Sequence, residues 1–189
     1  MGATGNSYLP RYYVGGIQVI DNTTAFSNAA VATVANSGAE TSLINSTGAF
    51  GTMTVPANYF QVGSLIELRG NGYIATDAVA PTVNIKLKWG STVLSASGAI
   101  STAVQITPAC LWEYSGIFRI QTVGAGGTAN VSSIMWVNNL SAPSFGAIPA
   151  TGVVLDTTTA QLLDVTVTWG TASANNTITG VQWFLGIRQ

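Results

Sequence analysis

A chain of 189 residues suits one domain, or a domain with an arm, and can bury roughly 70% of its unfolded surface without a metal or disulfide. Charged residues are only 7% of it, against about 25% in ordinary soluble proteins, so Ser, Thr, Asn, Gln and Gly must carry the surface. That suits an assembly component better than a charge-stabilised enzyme, and a net charge of −1 with six scattered basic residues disfavours nucleic acid, whose binding needs clustered cations.

The chain opens "MGATGNSYLPRYY", with no basic segment leading into an apolar one, so no export signal is expected. It also lacks the Ser or Thr that a myristoylation signal prefers. Ile120 to Leu155 carries no charge, but Gly, Ser, Asn and Pro interrupt it throughout, so no membrane helix and no membrane partner are expected. Residues 1–30 read as an N-terminal arm. "YLPRYYVGG" gathers Tyr8, Arg11, Tyr12 and Tyr13, residue types enriched where proteins touch, and these four are the candidate partner-binding residues. The competing reading is an end that only packs on its own domain.

Residues 31–189 read as a β-sandwich domain. "SNAAVATVANSGA" is Ala-rich, yet its Val, Thr and Asn make a short helix no better than a loop. "ETSLIN" and "TMTV" are short strands, and "VPAN" suits a turn or strand edge because Pro56 fixes φ and lacks an N–H. Gly63 should take a positive φ just before "SLIELRGNGYI", in which Ile66 and Leu68 oppose Leu65, Glu67 and Arg69. Gly70 and Gly72 suggest a bulge or bend where that strand changes sheet.

Period-two alternation continues in "PTVNIKLKWG", where Val83, Ile85, Leu87 and Trp89 oppose Asn84, Lys86 and Lys88. Gly90-Ser91 should turn the chain into "TVLSAS". In "LWEYSGIFRIQTV" Trp112, Tyr114, Phe118 and Ile120 oppose Glu113 and Arg119, and "GAGGT" turns into "NVSSIMWVNN". "LLDVTVTWG" sets Leu163, Val165, Val167 and Trp169 against Asp164, Thr166 and Thr168; "TITGVQWFLGI" is the last strand. About eight short-spaced strands and no sustained helical period give an all-β, antiparallel jelly-roll sandwich with an extended N-terminal arm.

Candidate chemistry is sparse. Histidine is absent, which removes Ser-His and Cys-His pairs and His-ligated metals. Cys110, the only cysteine, reads as a small buried hydrophobe. "GAGGT" follows a strand but opens no helix, so it is a turn and no phosphate loop. Glu67, Asp77, Glu113, Asp156 and Asp164 could include an acid and a nucleophile for glycoside hydrolysis. Glu67 with Arg69, and Glu113 with Arg119, share strand faces and read more simply as residues of surface or inter-subunit ion pairs; Asp77 and Asp156 make a poor calcium cage. Lys86 and Lys88 read as the solvated side of a strand. Trp89, Trp112, Trp136, Trp169 and Trp183 could stack on sugars, but four of them lie on inward faces or near strand ends, where a core role is ordinary. No catalytic, cofactor-binding or metal-binding residue is assigned.

Four segments, "AETSLINSTGAFGTMTVPANYFQVGSLIELRGNGYIAT", "TVNIKLKWGSTVL", "WEYSGIFRIQTVGAGGT" and "DTTTAQLLDVTVTWGTASANNTITGVQWFLGI", resemble in order a family of head-decoration or tail structural proteins of tailed bacteriophages and prophages. The resemblance covers Ala39 to Ile187 and leaves the arm uncovered. It implies a jelly roll of tumour-necrosis-factor-like outline, no catalytic residues, and a non-enzymatic virion component made in the host cytoplasm. It does not fix the place in the particle; the leading expectation is a capsid decoration (cement) protein on the capsid surface, binding the major capsid protein and itself as a homotrimer. The alternative is a tail-fibre or baseplate domain that binds host glycans.

Overall fold

The computed structural model describes residues 12–14, 17–19, 23–27, 31–44, 54–77, 81–101, 109–137 and 146–189, with backbone alone for 12–27, 101 and 146–149. Among these every regular element is a strand. In chain order they are β1 (Tyr12–Val14), β2 (Ile17–Val19), β3 (Thr23–Ser27), β4 (Ala32–Ala35), β5 (Thr41–Ser42), β6 (Thr54–Val55), β7 (Leu65–Ala75), β8 (Thr82–Trp89), β9 (Thr92–Ala96), β10 (Ile100–Ser101), β11 (Cys110–Thr122), β12 (Gly127–Val137), β13 (Gly146–Leu155), β14 (Gln161–Trp169) and β15 (Thr177–Arg188).

Two antiparallel sheets form a jelly-roll-like sandwich. The larger has the order β13-β12-β11-β7-β15, with β3 and β4 sharing the far edge of β15. The smaller is centred on β8 and β14; β9 and β10 flank β8, and β5 and β6 flank β14. Between them lie inward residues of the strands, among them Ile66 and Leu68, alternate positions of Val83 to Trp89, Trp112 to Ile120 and Leu163 to Trp169, and Ile178, Trp183, Leu185 and Ile187, all buried. The period-two faces read from β7, β8, β11 and β14 are therefore the core faces. Gly63 and Gly90 both take the positive φ their turns require. The stretch before β7 adds Phe60, whose ring meets Trp89 at 5.3 Å and Phe118 at 6.3 Å, closing one end of the core.

Several expectations are corrected. The Ala-rich segment is neither helix nor loop where it meets the sheet: Ala32 and Val34 are buried in β4, which pairs with Thr177–Gly180 of β15. Alanine supplies the small inward residue there, and the outward Thr33 Oγ1 lies 2.9 Å from Thr179 Oγ1. β13 was not foreseen. It carries Pro149 and a positive-φ Gly152 and pairs irregularly with β12, features an edge strand tolerates. The strand expected in "ETSLIN" narrows to β5, and the described part of "TMTV", Thr54 and Val55, is β6; Asn45, Thr52 and Met53 lie outside the described residues.

Gly70 and Gly72 do not carry β7 into another sheet. β7 pairs with β11 from Leu65 to Ile74 without a break, and the register shift lies opposite, between Gly180 and Gln182 of β15. The glycines instead make room. A Cβ on Gly70 would stand 2.5 Å from the Trp183 ring, and one on Gly72 would collide with the Thr179 carbonyl oxygen. Trp112 fills the same place, its indole N–H shared between the carbonyls of Tyr73 and Thr179, each at 3.1 Å.

Lys86 and Lys88 are not simply solvated. Both donate to Glu40, at 2.5 and 2.6 Å, and the two ammonium groups, aided by Thr166, hold its carboxyl at about 2, below its usual 4.5. A carboxyl lowered on folding contributes stability above its unfolded value and loses it as pH falls through the folded one. Because Glu40 is 29% exposed, solvent screening limits the contribution to about 1 kcal/mol. Glu40→Gln should cost that amount in urea denaturation at pH 7, and the difference from the parent should shrink as pH falls from 4.5 towards 2. A difference independent of pH would remove the ion pair from the account.

Candidate functional site

The outward residues of β12, β11, β7 and β15 make one continuous surface, because alternate side chains of neighbouring strands stand side by side. The register aligns Trp136, Glu113, Asn71 and Gln182 in one row and Ile134, Ser115, Arg69 and Phe184 in the next. Together they line an open groove of about 660 Å³. Tyr73 and Leu111 continue the surface on one side and Ile117 on the other, so six exposed large hydrophobics share this face. A soluble monomer seldom gathers that many on one side without an interaction to make.

The β15 bulge creates half of this surface. Before it, Ile178 and Gly180 point inward; the extra residue Val181 rephases the strand so that Trp183 and Leu185 are buried while Gln182 and Phe184 face out. Arg69 is fixed by Glu67, which accepts from Nε at 2.7 Å and Nη2 at 2.5 Å, as the shared strand face foretold. Asn71 Nδ2 donates to Gln182 Oε1 at 3.2 Å. Among the described residues Glu113 makes no ion pair within the chain.

Of the tryptophans, Trp89, Trp112, Trp169 and Trp183 are core residues, and Trp136 alone is half exposed, at 50%. The other candidates scatter. Cys110 is half-buried at the start of β11, with its thiol pushed up by burial. Asp77 accepts from Ser173 Oγ at 2.8 Å, and Asp164 is buried, accepting from Ser42 Oγ at 2.7 Å. Asp156 caps its own turn, accepting from the Thr158 hydroxyl and N–H and the Thr159 hydroxyl, which hold its carboxyl below the usual carboxylate pKa. Among the described residues no group of three or more His, Cys, Asp or Glu could hold a metal. Tyr8 and Arg11 lie outside the described residues. Tyr12 and Tyr13 belong to β1, whose backbone pairs with Val19 and Gln18 of β2 in a separate two-stranded sheet.

No family model matches the chain, and no curated protein matches it. Among solved structures, the CBM2 module of Lactobacillus casei BL23 phage J-1 evolved Dit is similar at a TM-score of 0.34 and 9% identity, over 71% of this chain and 67% of that one. A superposition that loose carries nothing further about this chain.

Proposed function

We propose that the chain is a non-enzymatic structural protein of a tailed bacteriophage particle, held on the major capsid protein shell by its N-terminal arm as a decoration protein. The observation that carries this reading is the β1–β2 hairpin, which among the described residues pairs only with itself. An isolated two-stranded hairpin is marginal in water, so an arm of this kind calls for another surface to rest on. The ordered resemblance from Ala39 to Ile187 supplies the particle. The charge-poor surface agrees with it, since burying Ser and Thr between subunits avoids the cost of desolvating ions. Threefold closure of copies satisfies every interface.

Deletion of residues 1–20 should leave the sandwich folded, with an unchanged urea midpoint, while occupancy on purified particles falls at least tenfold. Unchanged occupancy would overturn the clamp. The second reading, a tail-tip domain, is favoured by the groove beside Trp136, and labelled protein found on the tail would select it.

A further inference from the structure

We infer that the groove between Trp136 and Phe184 is a binding site for a neutral oligosaccharide, a property that goes beyond the particle role and does not depend on where the chain sits. The two rings stand at opposite ends of the groove, on strands separated by β11 and β7. Three strand spacings put them about 14 Å apart across the sheet, room for a short chain of sugar rings and not for one alone. Both are exposed on strands, where position is fixed better than on loops.

Between the rings the floor is polar: Glu113, Asn71 and Gln182 in one row, Ser115 and Arg69 in the next. The Asn71–Gln182 bond orients both amides and, among the described residues, leaves Asn71 Oδ1 and Gln182 Nε2 uncommitted, one acceptor and one donor at neighbouring points. The Glu113 carboxylate adds acceptors only. Such a set suits vicinal hydroxyls, while the rings suit the C–H faces of pyranoses. A protein partner would want the reverse arrangement, an apolar centre depleted of charge and a polar rim. Charge disfavours anionic partners as well: Arg69, the one cation among the described residues lining the groove, is already answered by Glu67. A neutral polyhydroxyl ligand is what remains.

The test is calorimetry of the full-length protein against neutral trisaccharides (α- and β-glucan, galactan and N-acetylglucosamine series), with tryptophan emission read in parallel. At least one series should bind, blue-shifting the emission of Trp136, since the other four tryptophans are already buried. Trp136→Ala should abolish the shift and weaken binding at least tenfold, and Glu113→Gln should weaken it severalfold. Val93→Ser on the opposite sheet should leave it unchanged. All variants change exposed side chains, so their melting temperatures should match the parent. Silence across the panel, or binding that survives Trp136→Ala, overturns the proposal. So does dissociation of a self-assembled oligomer by Trp136→Ala without any saccharide binding, which would make the face a contact between copies. Arm deletion, by contrast, should spare saccharide binding in solution whatever it does to particle occupancy.

Discussion

Gly72→Ala should destabilise the protein by about 3 kcal/mol or more, a larger effect than its single added methyl suggests. Gly72 of β7 lies opposite Gly180 of β15, and the Thr179 carbonyl comes so close that an added Cβ has no place to go. Its neighbours there are backbone and the Trp112 indole nitrogen at 3.1 Å, none of which is the movable end of a flexible side chain. Relief requires β7 and β15 to separate, and both are interior strands of the larger sheet. Gly126→Ala is the matched control, since a Cβ there meets nothing within 4 Å. It should move the urea midpoint by no more than about 0.5 kcal/mol. Equal, small effects of the two substitutions would contradict the steric account.

Trp112→Ala should cost about 3–5 kcal/mol, the usual range for emptying a buried aromatic site. The side chain is 1% exposed, packs against Trp183 with ring centroids 5.8 Å apart, and has its N–H shared by two carbonyls on different strands. Trp112→Phe separates the two contributions. It keeps most of the apolar volume but removes the donor, so it should cost about 1–3 kcal/mol. If the phenylalanine variant were as stable as the parent, the indole bridge between β7 and β15 would be a bystander to packing.

How much of this was readable beforehand depended on phase. Strands with one apolar and one polar face, such as β8 with Val83, Ile85, Leu87 and Trp89 inward, declared both their type and their orientation. β4 and β13 write no clear alternation: Ala32 is a small inward residue in one, and Pro149 and the positive-φ Gly152 interrupt the other. The candidate site was less legible still. In β12, Ile134 and Trp136 face out while Met135 and Val137 face in, so both faces are apolar and hydropathy alone cannot tell them apart. In β15 the bulge at Val181 inverts the phase halfway along, and no turn residue announces it; Gly180 serves equally as a small core position. Only the register across four strands places Trp136 beside Glu113, Asn71 and Gln182.

The same architecture links stability to contact. The glycine–tryptophan packing that holds β7 against β15 lies directly beneath the groove, on the inner side of the strands that carry Asn71, Arg69, Gln182 and Phe184. Variants that loosen that packing should therefore blur the outer surface before the fold is lost, whereas outer-face variants such as Trp136→Ala should leave stability within about 0.5 kcal/mol of the parent.

The most direct measurement of the particle role is low-resolution imaging of intact virions assembled with and without this chain. Compact lobes on the head surface, grouped about threefold positions, should be present and should vanish when the chain is absent. Lobes confined to the tail tip, or particles identical in both preparations with all of the protein left free in solution, would contradict it.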